Sequence, residues 1–101
     1  MSFISKQIDS YRIAYNSDNF QDVPRMSAYI HLSDKDNNNL GALRFVDELP
    51  LPKNIINEDG TFEIFYHIDR FNDIINILRY EKPLWVSIDS NFKSGQIQTF
   101  S

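Results

Sequence analysis

The sequence predicts an α+β fold: a mainly antiparallel sheet of five to six strands, open or curled on itself, with one α-helix on one face. Three observations carry this. Only one stretch, at about 70–81, repeats its apolar residues with helical period. Several other stretches alternate apolar and polar side chains with a period of two. Between them lie short runs of Asn, Asp, Ser and Gly, which favour turns. The predicted order is β-β-β-β-α-β-β, in one domain spanning 1–101.

The elements follow in chain order. Residues 8–15 place Tyr11, Ile13 and Tyr15 against Arg12 and Ala14, a first strand. Residues 16–24 are a polar connection. Met26, Ala28, Ile30 and Leu32 alternate with Ser27, Tyr29 and His31, which makes 26–32 the clearest strand. Ser33 to Asn39 reads as a turn, because Asn and Asp bond their own main chain. Leu40 to Val46 is then the second arm of an antiparallel hairpin, with Leu43 and Phe45 inward.

Residues 47–60 form the longest connection, stiffened by Pro50 and Pro52. Its Leu49, Leu51, Ile55 and Ile56 predict a segment packed on the domain. Thr61 to Ile68 is the next strand, with Phe62, Ile64, Tyr66 and Ile68 opposite Glu63, Phe65 and His67. The helix follows at once. Phe71, Ile74, Ile75 and Leu78 recur at i, i+3, i+4 and i+7, Asp69 is the expected N-cap, and Pro83 stops the helix. Leu84, Val86 and Ile88 alternate with Trp85, Ser87 and Asp89 in another strand. Residues 90–95 turn, and Gln96 to Phe100 make a final edge strand.

Composition narrows the function. The chain has no cysteine, which removes disulfides, thiolate metal sites and a cysteine nucleophile. Its net charge is −4, with scattered basic residues and no basic stripe, which argues against nucleic-acid binding. No apolar run reaches membrane-spanning length, and residues 1–7 lack the apolar centre of a signal peptide. The expectation is a cytoplasmic protein without a membrane partner.

No catalytic constellation is evident. There is no G-x-S-x-G elbow, and the three glycines at 41, 60 and 95 cannot build a phosphate loop. The Asp34–Asn39 turn resembles the start of a calcium loop, but Asn39 and Phe45 stand where Gly and Glu are needed. Two histidines without close spacing are a poor basis for zinc. No metal and no cofactor are therefore expected, and a His67–Asp69 pairing is left open.

The candidate site is a patch of Tyr29, His31, Phe65, His67 and Trp85, which all alternate against the apolar set of their own strands. Neighbouring strands would gather them into one aromatic–histidine surface on the face away from the helix. The competing reading scatters them singly, which needs no explanation. One helix cannot cover both faces of the sheet, so the second face is wet, closed by curling, or paired. The leading expectation is a small non-enzymatic protein-interaction domain, with homodimerisation through the uncovered face as one form. The alternative is a small-ligand-binding protein or minor enzyme that uses the patch.

The segment Leu43–Ile88 carries Leu-Pro-Leu-Pro-Lys-Asn at 49–54, Asp59-Gly60, Phe65-Tyr66-His67 with Phe71, and Arg79-Tyr80-Glu81-Lys82-Pro83-Leu84. In these residues the chain resembles a group of small uncharacterised bacterial single-domain proteins. The resemblance covers about half the chain. It implies a small bacterial protein of one domain and assigns no activity and no site residue.

Overall fold

A single residue, Asp9, separates two strands that belong to different sheets. In the computed structural model, β1 (Phe3–Ile8) lies in a three-stranded sheet and β2 (Ser10–Tyr15) in a five-stranded one. The Asp9 N–H donates to the Ser33 carbonyl at 2.8 Å, which fixes the corner. The structure describes residues 3–15, 26–47, 49–89, 91 and 94–99.

The remaining elements are β3 (Met26–Ser33), β4 (Asn39–Val46), β5 (Ile55–Ile56), β6 (Phe62–His67), a 3₁₀ turn (Ile68–Arg70), α1 (Phe71–Tyr80), β7 (Leu84–Asp89) and β8 (Gly95–Gln98). The five-stranded sheet has the order β2-β3-β4-β6-β5, and the three-stranded sheet the order β1-β7-β8. Every pairing is antiparallel except β4 with β6.

The α+β class and the mainly antiparallel pairing are as expected, and among the described residues there is one α-helix. The strand count and arrangement are corrected. Among the described residues, one sheet of five to six strands becomes eight strands in two sheets. The single strand expected at 8–15 is two strands that part at Asp9. The order gains β1 and the two-residue β5, so five strands and β6 precede the helix rather than four strands. The parallel pair arises because the connection 47–61 is long enough for the chain to return in the same direction.

The apolar faces of both sheets meet in one cluster. Ala28, Ile30 and Leu32 of β3, Leu43 and Phe45 of β4, and Phe62 and Ile64 of β6 contribute from one side. Leu84, Val86 and Ile88 of β7 contribute from the other, and Ile74, Ile75 and Leu78 of α1 join them. Burial of each of these Val, Leu, Ile and Phe side chains contributes roughly 1.5–3 kcal/mol. The helix therefore shares the inner face of the five-stranded sheet with the smaller sheet. Phe71 anchors its start, with its ring edge-on to Phe45 at 5.0 Å, and Phe45 in turn stacks on Tyr66 at 5.7 Å.

Two local expectations are also corrected. Asp69 is not the helix N-cap. The 3₁₀ turn precedes α1, and the His67 Nδ1 caps that turn by accepting from the Asp69 N–H at 3.3 Å. Ile68 packs against the core, which tightens the chain before the helix can begin. The segment 47–60 is not uniformly packed either. Ile56 faces inward beside Phe62, whereas Ile55 faces outward beside Glu63, and Leu49 and Leu51 are exposed with it. The polar connection expected at 16–24 and the far end of the last strand at Phe100 lie outside the described residues.

Candidate functional site

The outer face of the five-stranded sheet is built by register. Directly paired residues on neighbouring strands point the same way. Arg12 of β2 opposes His31 of β3, His31 opposes Ala42 of β4, and Ala42 opposes Glu63 of β6. The adjoining row runs Ala14, Tyr29, Arg44, Phe65 across the same four strands. His67, next to Val46, follows on the same side of β6.

Four residues of the sequence-derived patch, Tyr29, His31, Phe65 and His67, thus stand on this one face. Trp85 does not stand with them. It lies on β7 between Gln7 and Gln98, on the outer side of the smaller sheet. Because the inner sides of the two sheets meet in the core, their outer sides look in opposite directions. His67 is committed locally to capping the 3₁₀ turn, and the Asp69 carboxylate lies 3.2 Å from its Nδ1.

Arg12, Arg44, Glu63 and Ala42 belong to the same face and were not singled out from the sequence. Their alternation was visible, since each sits opposite its strand's apolar set. The lateral order of the strands, which alone makes them neighbours, was not.

Electrostatics concentrate around His31. Its ring meets Tyr29 edge-on at 5.0 Å, and the Arg44 guanidinium sits 6.0 Å from the Tyr29 ring centre. Arg44 donates to the Glu63 carboxylate in an ion pair. Partial burial, then the positive charges of Arg12 and Arg44, hold the His31 pKa below the ordinary histidine value. At neutral pH the ring is uncharged and offers one donor and one acceptor.

Two adjoining hollows open on this face. One, of about 360 Å³, is lined by Ser10, Arg12, His31, Ser33, Asn37 and Asn39, with Tyr11 beside them. The other, of about 130 Å³, has Gly41 and Ala42 in its lining and shares His31 and Asn39 with the first. The small Ala42 side chain, between the larger His31 and Glu63, is what leaves the second hollow open.

A larger cleft of about 430 Å³ lies at the Asp9 corner, between Lys6, Asp9, Asp34, Lys35 and Asp36. Its charges are mixed and partly committed. Lys6 Nζ donates to the Gly60 carbonyl at 3.2 Å, and Asp34 closes its own turn. Among the described residues no group of three or more His, Asp or Glu side chains is placed to hold a metal ion, and no helix is long and apolar enough to cross a membrane.

Comparison with protein-family models, with curated proteins and with solved structures finds no match for this chain.

Proposed function

We propose that this protein is a small non-enzymatic protein-interaction domain that meets its partner through the outer face of the five-stranded sheet and the 49–56 segment at its edge. The observation that carries this is the exposure of large apolar side chains along that segment: Leu49 is 75% exposed, Ile55 42% and Leu51 40%. The segment is tied to the sheet, since the Phe65 N–H donates to Asn54 Oδ1 at 2.8 Å and Ile55 pairs with Glu63. Apolar side chains held in water at the edge of a face that carries Tyr29, Arg44 and Phe65 match the composition of protein interfaces, which favour aromatic residues and arginine.

A second copy of the chain is the partner this reading names, because closed two-fold dimers are the commonest assembly of a single chain. Sedimentation equilibrium at micromolar concentration tests it, with an expected mass of twice the monomer. Leu49→Asp with Leu51→Asp returns the mass to that of one chain and leaves the circular dichroism unchanged. A wild-type protein that stays monomeric over the whole concentration range overturns the dimer.

A further inference from the structure

We propose that the paired hollows between Arg12, His31 and Asn39 bind a small organic anion through its carboxylate or phosphate group. This site lies at the β2–β3 end of the outer face, across the sheet from the 49–56 edge.

Hydrogen-bond donors converge there from three elements. Arg12 comes from β2, His31 from β3, and Asn37 and Asn39 from the turn into β4. The Asn39 Oδ1 already accepts from the Gly41 N–H at 3.0 Å, which leaves the Nδ2 donors as the part of that amide still to be satisfied. Ser10 and Ser33 add hydroxyls. A guanidinium fork beside several neutral donors suits the planar or tetrahedral oxygens of a carboxylate or phosphate.

Charge favours the same ligand. The whole chain carries −4, yet among the described residues the only carboxylate in the lining of either hollow is that of Glu63, which is paired with Arg44. Arg12 and Arg44 both act on His31 with positive potential. Arg12 on β2 and Arg44 on β4 stand to either side of His31, so an anion seated over the ring lies between two positive charges, of which that of Arg44 is already paired with Glu63. Volume argues for a ligand larger than a bare ion, since about 360 Å³ and about 130 Å³ adjoin. The hollows are open, so affinity in the millimolar to micromolar range is expected.

The groups that face His31 are Arg12 on β2, Tyr29 on its own strand, Arg44 on β4 and, one strand further, Glu63 on β6.

The test is an NMR titration of both histidine rings with succinate, with inorganic phosphate, and with sodium chloride at matched ionic strength. Succinate or phosphate raises the His31 midpoint saturably and shifts the amides around 10–12, 31–33 and 37–42. Chloride does not saturate. The two anions distinguish a carboxylate ligand from a phosphate ligand. Arg12→Gln, at an exposed position, weakens binding by about tenfold or more. Ala42→Leu, which fills the smaller hollow, weakens it with Arg12 intact. If Ala42→Leu does not fold, Arg12→Gln alone decides. Saturation by neither anion, an equal effect from chloride, or unchanged affinity in Arg12→Gln overturns the site.

Discussion

Gly41 lies so close to Phe62 on the neighbouring parallel strand that a Cβ at Gly41 would stand 2.1 Å from the Phe62 carbonyl oxygen and 2.8 Å from its nitrogen. Both obstacles are backbone, so no side-chain rotation relieves them. Gly41 also holds φ at +143°, a region that L side chains rarely adopt. Gly41→Ala must therefore separate β4 from β6 at the start of their parallel pairing. The expected loss of stability is about 2 kcal/mol or more. A urea midpoint close to wild type would show that the two strands separate easily here.

His31 supplies a pH prediction with a definite sign. Its folded-state pKa is lowered, first by partial burial and then by Arg12 and Arg44. The folded protein thus binds fewer protons than the unfolded chain between the lowered value and the ordinary histidine value. The contribution of His31 to stability is complete above about pH 6.5 and declines as pH falls through the window down to the folded value. Arg12→Gln removes one of the two positive charges and shifts the His31 midpoint upward in the absence of any ligand. Ring-proton titration by NMR measures this directly, and a midpoint that stays or falls would contradict the electrostatic picture.

The two acidic turns act in the same sense at lower pH. Asp34 accepts from the Asn38 N–H at 2.9 Å, from the Asn38 side-chain amide at 3.2 Å and from the Asp36 N–H at 3.0 Å. The Asn38 backbone bond is the largest cause that holds its carboxyl below the ordinary aspartate value. Asp59 is lowered chiefly by the Thr61 hydroxyl, at 2.7 Å. Their stabilising contributions are present above the ordinary value, near pH 4, and are lost as pH falls through the lowered folded values. Asp34→Asn and Asp59→Asn should flatten the acid limb of the stability curve. Equal steepness in the variants and the wild type would remove these turns from the acid response.

These turns, the helix and the longer strands were readable because local chemistry specifies them. Asp34 and Asn37–Asn39 announce a turn, and Asn37 indeed adopts positive φ. The 3.6-residue repeat from Phe71 to Leu78 predicted a helix at 70–81 that forms at 71–80. The division into two sheets was not readable. Lys6 interrupts the apolar side of β1 between Ile4 and Ile8, which disguised that strand, and one residue at Asp9 is too short a signal for a change of sheet. The parallel β4–β6 pair left no local trace either, since alternation is the same in both orientations. For the same reason the neighbours Arg12, His31 and Arg44 could be assigned to a face from sequence, but not to each other.

The inward Lys6 has a structural use. Its Nζ reaches from the three-stranded sheet to the Gly60 carbonyl, in the turn that leads to β6 of the other sheet. Lys6→Met keeps the apolar stem and deletes the hydrogen bond. The bond contributes roughly 0.5–1.5 kcal/mol, and the variant should lose about that much in chemical denaturation. Hydrogen exchange of the amides around residues 57–61 should quicken in parallel, because the Asn57–Thr61 turn loses its tie to β1. A variant as stable as the wild type with unchanged exchange would mean that this contact is solvated rather than structural.

The contact between Gly95 and Ile64 tests how tightly the sheets close on each other. Gly95 opens β8 in the smaller sheet, and Ile64 is a fully buried residue of β6 in the larger one. A Cβ at Gly95 would meet Ile64 Cδ1 at 2.7 Å, Cγ1 at 2.9 Å and Cγ2 at 3.2 Å. Here the obstacles are side-chain atoms, so the effect should be overpacking rather than backbone strain. Gly95→Ala is expected to cost about 1–3 kcal/mol, and Ile64→Val alone about 0.5–1.5 kcal/mol. Ile64→Val removes Cδ1, the atom in the closest conflict, so the double variant should lose less than the two single losses added together. A coupling of at least about 0.5 kcal/mol in the double-mutant cycle identifies direct contact between the sheets. Additive losses would indicate that the Gly95 end of β8 yields outward.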